Sequence, residues 1–116
     1  MSKRILLVDD DELVLESFEM IFTDLGYEVL TCSDSLQSAP IALASAFDLI
    51  LVDIRMPGHN GAEVVRDILV GRPGSRVYVL TAYPGDPLVQ MALEAGAQGV
   101  MKKPFEIAKI LDLLKE

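Results

Sequence analysis

Five short aliphatic runs, Ile5–Val8, Val29–Thr31, Leu49–Val52, Val77–Leu80 and Gly99–Met101, recur along the chain with room for one helix between each pair. They are apolar throughout rather than alternating, the pattern of strands covered on both faces, as in a parallel sheet. The segments between them read as helices. The first carries Val14, Phe18, Ile21 and Leu25 on one face, with Glu12, Glu16, Glu19 and Thr23 opposite and Gly26 as its stop. The second falls between about Ser35 and Ala46; Pro40 fits best in a first turn, so Ser38 is expected as the cap. The third starts at Asn60 with Glu63 three residues on, a capping box. The fourth has Asp86 as cap, Pro87 at its first position and Gly96 as terminator. The fifth places Ile107, Ile110, Leu111 and Leu114 on one stripe. Strand and helix alternate five times, which predicts an α/β fold with right-handed crossovers, a single domain over residues 1–116.

Composition removes several classes of function. A net charge of −8 offers no phosphate footprint, so direct nucleic-acid binding is not expected. No apolar stretch approaches the ~20 residues of a membrane span. Only Ile5–Val8 follows Met1-Ser2-Lys3-Arg4 before the acids begin, too short for a signal peptide. The single Cys32 cannot form an internal disulfide and reads as a small buried hydrophobe at a strand end, consistent with a cytoplasmic protein.

An open sheet of this kind binds its ligand outside the carboxyl ends of its strands. Asp9, Asp10, Asp11 and Glu12 follow the first run, Asp53 the third, Thr81 and Ala82 the fourth, and Lys102, Lys103 and Pro104 the fifth. Each has an ordinary explanation: Asp11 or Glu12 as a helix cap, Thr81 as β-propensity, Lys103 as a solvated loop residue. Asp53, between an apolar strand and the Pro57-Gly58 turn, has little structural purpose. All of these at one sheet edge would be a coincidence, and the functional reading prevails. Like charges about 5 Å apart repel by roughly 3 kcal/mol at an effective dielectric of 20, so a cation belongs among the acids. Carboxylates without His or Cys suit a hard cation such as Mg²⁺. An aspartate beside that metal can attack phosphorus and form an aspartyl phosphate, with Lys103 and Thr81 cradling the phosphoryl oxygens.

Val8-Asp9-Asp10, Asp53 with Met56-Pro57-Gly58, Leu80-Thr81-Ala82 and Lys103-Pro104-Phe105 together resemble the receiver domain of two-component response regulators, in order and over essentially the whole chain. The wording Asp53-Ile54-Arg55-Met56-Pro57-Gly58 with Leu80-Thr81-Ala82-Tyr83 is most similar to receivers of enhancer-binding transcription activators or of sensor kinases. The resemblance implies a flavodoxin-like strand order 2-1-3-4-5. It implies that Asp53 accepts a phosphoryl group from the phosphohistidine of a sensor kinase or phosphotransfer protein, the domain assisting its own phosphorylation and dephosphorylation without being an enzyme. It further implies Mg²⁺, replaceable by Mn²⁺, held by Asp9, Asp10, Asp53 and the main-chain carbonyl of Arg55, with Asp10 the more direct carboxylate of the acidic pair. Thr81, Ala82 and Lys103 become the phosphoryl-binding switch, and the Lys103–Pro104 bond is cis. One position departs from the pattern: Val100 stands where the family usually has a Tyr or Phe that swings inward with the threonine. Tyr83 is the nearest other aromatic and reads as a half-exposed loop residue.

His59, the one histidine, reads as a solvated loop residue, and Gly71–Arg76 as a turn without phosphate-loop spacing. The runner-up function is a haloacid-dehalogenase-type phosphohydrolase, with an Asp-x-Asp-x-Thr/Val motif after the first strand. Asp9-Asp10-Asp11-Glu12-Leu13 approaches it but ends in Leu13, and Thr81-Ala82 replaces the later acidic pair. A third reading is a phosphorylation-independent docking module; the intact Asp–Thr–Lys set argues against it. For output, Leu88 and Met91 of the fourth helix cannot both point inward alongside Val89 and Leu93. That predicts an exposed apolar strip, rimmed by Lys109 and Asp112, for a partner, an output domain or a second copy.

Overall fold

The computed structural model describes residues 2–115; Met1 and Glu116, the two ends of the expected domain, lie outside the described residues. Strands β1 (Arg4–Val8), β2 (Glu28–Cys32), β3 (Leu49–Asp53), β4 (Val77–Thr81) and β5 (Gly99–Lys102) alternate with helices α1 (Glu12–Asp24), α2 (Ser35–Ala44), α3 (Gly61–Gly71), α4 (Pro87–Ala95) and α5 (Ile107–Leu114). All pairings are parallel, and the sheet order is β2-β1-β3-β4-β5. The chain runs out from β1 to β2 at one edge and then returns past β1 to β3. Ligand sites of doubly wound sheets lie at such a reversal.

The central strands are covered on both faces because their residues divide between two cores. Leu6, Val8, Ile50, Val52, Val77 and Val79 pack with Val64, Val65 and Ile68 of α3 and with Val89 and Ala92 of α4. Ile5, Leu7, Leu49, Leu51, Leu80 and Met101 face the opposite way, against Leu15, Phe18 and Phe22 of α1 and Ile110 and Leu114 of α5. The edge strand β2 is covered less: Glu28 and Leu30 are exposed, and only Cys32 is buried.

The caps follow the sequence closely. Asp11 accepts the Leu13 and Val14 N–H groups at the start of α1. Asn60 and Glu63 form both arms of a capping box on α3. Asp86 caps α4, Pro87 opens it, and Gly96 ends it in the left-handed region at φ 116°.

Four helix expectations are corrected. The buried centre of α1 is Leu15, Phe18 and Phe22; of the expected stripe Phe18 is buried, Val14 and Ile21 are half-buried against the same core, and Leu25 is exposed. The reason is aromatic packing, with Phe18 and Phe22 stacked at 4.4 Å and Phe105 edge-on to Phe18 at 5.3 Å. The cap of α2 is Asp34 rather than Ser38, so Pro40 lies inside the helix beyond its first turn. Ser38 is buried and donates to the Ser35 carbonyl. Of the α5 stripe, Ile110 and Leu114 are buried, Leu111 is half-buried and Ile107 is exposed. On α4, Leu88 turns toward the core and Met91 is 52% exposed. Met91 faces Ala62, Glu63 and Arg66 of α3, whereas Lys109 and Asp112 flank a separate groove beside β5. The expected strip is therefore split in two.

The start of α3 is pressed against the backbone at the end of β3. The Gly61 N–H donates to the Ile54 carbonyl at 2.8 Å. A Cβ on Gly61 would sit 2.6 Å from the Asp53 carbonyl oxygen and 2.7 Å from the Ile54 Cα. Alanine is the better helix former, yet this overlap is with backbone and cannot be relieved by a rotamer. We expect Gly61→Ala to destabilise the protein by about 1–3 kcal/mol in urea unfolding; an unchanged midpoint would rule out the close contact.

Candidate functional site

The carboxyl ends of β1, β3, β4 and β5 bring Asp9, Asp10, Asp53, Thr81 and Lys103 together. One carboxylate oxygen from each of Asp9, Asp10 and Asp53 lies within 4.8 Å of the others. Asp9 is fully buried and Asp53 is 6% exposed, whereas Asp10 is open to solvent. The Asp9 N–H donates to the Cys32 carbonyl, and its Oδ1 accepts the Asp11 N–H at 3.0 Å. Its buried Oδ2 has no aligned hydrogen-bond donor and meets the Lys103 ammonium at 2.8 Å as an ion pair. The same ammonium is 3.4 Å from Asp53 Oδ2. Lys103 is held in turn by its N–H, which donates to the Thr81 carbonyl at 2.8 Å. The Lys103–Pro104 bond is cis, and Phe105, just beyond it, anchors the loop in the α1 aromatic cluster.

Thr81 is 2% exposed, and its hydroxyl is engaged within its own loop. It accepts the Tyr83 N–H at 3.0 Å and donates to the Tyr83 carbonyl at 3.1 Å. Tyr83 itself is more exposed than expected, projecting into solvent just above the cleft. Val100 is half-buried and packs on the core cluster that holds Val89 and Ala92 of α4. Asp53, Arg55, Thr81, Ala82, Tyr83 and Lys103 line a cleft of about 200 Å³. His59 stands apart from it, with Nδ1 3.7 Å from Asp67.

Two features escaped the sequence reading. The Ser35 hydroxyl, at the start of α2, donates to the Pro57 carbonyl at 2.6 Å and accepts the His59 N–H at 2.9 Å, tying down the loop after Asp53. Nothing local in the sequence signals a contact across 22 residues. Arg55 was expected to matter only through its carbonyl, yet its guanidinium forks onto Asp86 at 2.7 and 2.8 Å. The opposite charges were visible; their meeting depends on how the loops after β3 and β4 fold.

The electrostatics reflect the crowding. Burial, then the negative charge of Asp9, pushes the Asp53 carboxyl up from 3.8 to about 6 against the pull of Lys103. Burial alone would pull the Lys103 ammonium down, but its contacts with Asp9 and Asp53 outweigh this and hold it above its ordinary value. The site is short of positive charge: its three carboxylates have one ammonium among them, paired with Asp9 and Asp53.

The sequence model of the response regulator receiver domain matches residues 5–115. The chain belongs to this family. As a receiver it is a phosphoacceptor of two-component signalling, a family whose members work with histidine kinases and output domains. Sporulation initiation phosphotransferase F of Bacillus subtilis is 32% identical over 116 residues, spanning 100% of this chain and 94% of that protein. A CheY-like receiver from Methanospirillum hungatei superposes with a TM-score of 0.91 at 31% identity, over 99% of this chain and 92% of that one. The receiver of the sensor histidine kinase PA1611 from Pseudomonas aeruginosa superposes at 0.88 with 28% identity, over 99% and 96%; that structure has a magnesium ion coordinated in its active-site cleft. Other curated relatives are longer: the receiver spans 47% of one and 22% of another. These comparisons lend no support to the phosphohydrolase or docking-module alternatives. Among the described residues no helix is long and apolar enough to cross a membrane.

The raised Asp53 carboxyl has a consequence for the metal-free protein. The folded state binds this proton more tightly than the unfolded chain. The group's contribution is therefore full below about pH 4 and is lost as pH rises through about 6. Two pH units correspond to at most about 3 kcal/mol. In chelator, Asp53→Asn is expected to be more stable than the parent at pH 8 and equally stable at pH 4. A constant difference across that range would contradict the crowding.

Proposed function

We propose that Asp53 is the phosphoacceptor and that Asp9, Asp10, Asp53 and the Arg55 main-chain carbonyl hold Mg²⁺, with Mn²⁺ able to substitute. The observation that carries this reading is the convergence of the three carboxylates within 4.8 Å around a single ammonium. Bound there, the metal would supply the charge neutralisation on which phosphoryl transfer depends. The residues do the rest. Asp53 ends β3 with its carboxylate turned into the cleft, where a cation favours the ionised, nucleophilic form. Lys103 is already between Asp9 and Asp53 and needs only a small shift to meet a phosphoryl oxygen. The Thr81 hydroxyl redirects its proton from the Tyr83 carbonyl to a phosphoryl oxygen, and Ala82 follows it, drawing in the loop that leads to α4.

The phosphoryl source is a sensor kinase or phosphotransfer protein in the cytoplasm, and the domain assists both its own phosphorylation and its dephosphorylation. The signal leaves through the face made by α4, β5 and α5, toward an output domain, a partner or a second copy. The half-buried Val100 has no ring to swing, so loop movement carries the change.

Two experiments test the assignments. With a small-molecule phosphodonor, Mg²⁺-dependent, acid-stable and base-labile label is expected on Asp53 and absent from Asp53→Asn; undiminished label in that variant would sink the acceptor assignment. Asp10→Ala is expected to weaken Mg²⁺ binding roughly tenfold or more, because it removes a ligand rather than a supporting group. Lys103→Ala should largely keep metal affinity yet lose the conformational response to phosphorylation. Wild-type metal affinity in Asp10→Ala would refute the acidic pocket.

A further inference from the structure

The loop between β4 and α4 is anchored at two points, and both anchors are hydrogen-bond donors that line the cleft. The first is Thr81, whose hydroxyl holds Tyr83 from both sides. The second is Arg55, whose Nε and one terminal nitrogen donate to the two oxygens of Asp86. Asp86 is the pivot. Its N–H donates to the Tyr83 carbonyl at 2.9 Å, and its Oδ1 accepts the Leu88 N–H at 2.9 Å as the cap of α4. One carboxylate therefore joins the loop that follows Asp53 to the first turn of α4.

The two partners of this fork differ in freedom. The Asp86 side chain is 7% exposed and fixed by its capping bond, whereas the Arg55 side chain is 66% exposed. Arg55 is the partner free to move. A guanidinium forks onto a phosphoryl group as readily as onto a carboxylate, so a phosphoryl group at Asp53 can compete with Asp86 for the same fork. A site with three carboxylates and one ammonium gains from a further cation once phosphoryl charge is added.

We propose that the Arg55–Asp86 fork is the link from this receiver's cleft to α4. With Asp53 unmodified the fork is closed and α4 is held by both Arg55 and its own cap. With a phosphoryl group on Asp53, the Arg55 guanidinium turns to that anion, Asp86 keeps only its capping bond, and the first turn of α4 loosens. Asp86 is a positioning residue that acts through the loop, whereas the Arg55 guanidinium itself meets the phosphoryl group. The coupling exists because Arg55 makes different contacts in the two states. It gives a chain with Val100 in place of a ring a route to the same helix. The inference rests on Asp53 as acceptor and goes beyond it by naming the transmitting pair.

The test uses the whole chain with Mg²⁺ and beryllofluoride. Fluorine NMR reports occupancy of the cleft, the Arg55 Nε–H resonance reports the fork, and amide hydrogen exchange reports Leu88 to Ala92. Asp86→Asn keeps a capping oxygen while removing the charge, and Arg55→Ala removes the fork from the other side. In the parent, beryllofluoride is expected to shift the Arg55 Nε–H signal and speed exchange in the first turn of α4 roughly three- to fivefold, the scale set by an exposed ion pair. At saturating beryllofluoride, with occupancy read from the fluorine signal, Asp86→Asn should bind as the parent does and Arg55→Ala more weakly, having lost the guanidinium contact. Both should start with that faster exchange and show no further change. An unmoved Arg55 signal in beryllofluoride-bound parent, or a full exchange response in both variants, would overturn the link. Loss of beryllofluoride binding in both variants would make the fork part of the site's construction and overturn it too. No bound fluorine signal in the parent would overturn the acceptor reading, and this link with it.

Discussion

The contact between Lys103 and the buried Asp9 is the constraint around which the rest of the site is arranged. Asp9 follows the inner strand β1, is fully buried, and its Oδ2 has the ammonium as its partner. An uncompensated charge at such a place would cost several kcal/mol, so the fold must deliver the lysine. The loop after β5 does this through the Lys103 N–H to Thr81 and the seating of Phe105 on Phe18. Once Lys103 is there it also lies beside Asp53, and the environment of the proposed acceptor follows from the same ion pair.

That arrangement leaves the cleft incomplete by design of its charges. Burial, then the charge of Asp9, raises the Asp53 carboxyl, and Lys103 offsets this only in part. A protein under selection for stability alone would have no reason to keep three carboxylates together. The repulsion is a store of affinity for a cation and for the charge rearrangement that phosphorylation brings. Two donors that line the cleft, Thr81 and Arg55, are meanwhile occupied with backbone or carboxylate partners of the β4–α4 loop. On the proposed reading, binding an anion at Asp53 and holding that loop compete for the same groups, which would give a rigid sheet a physical basis for switching.

Much of this was legible in the residues. Uninterrupted aliphatic runs require cover on both faces, so the parallel sheet and its alternating helices followed from pattern alone. The caps at Asp11, Asn60 and Asp86 were readable because a capping side chain serves N–H groups two or three residues away. The acids, Thr81 and Lys103 could be placed at one sheet edge because every strand of a parallel sheet ends on the same side. Where the reading missed, the deciding partner was distant. The buried face of α1 is centred on Phe18 and Phe22, where Phe105 completes an aromatic cluster, with Val14 and Ile21 half-buried at its margin and Leu25 exposed. Ser35 opens α2, with Pro40 carried inside the helix, while its hydroxyl is engaged by the loop at Pro57 and His59.

The sequence by itself thus determined the element types, their order, the starts of α1, α3 and α4, and the identity of the charged set at the carboxyl edge. These depend on local backbone chemistry and on the periodicity of hydrophobic burial, which act within a few residues. Only the tertiary structure decided which face α1 buries, that Met91 and the Lys109–Asp112 groove lie apart, that Ser35 ties the loop after β3, and that Arg55 grips the cap of α4. Each of these is a contact between segments distant along the chain. Its energy depends on where separate loops meet in space, and no spacing of residues within one segment encodes that.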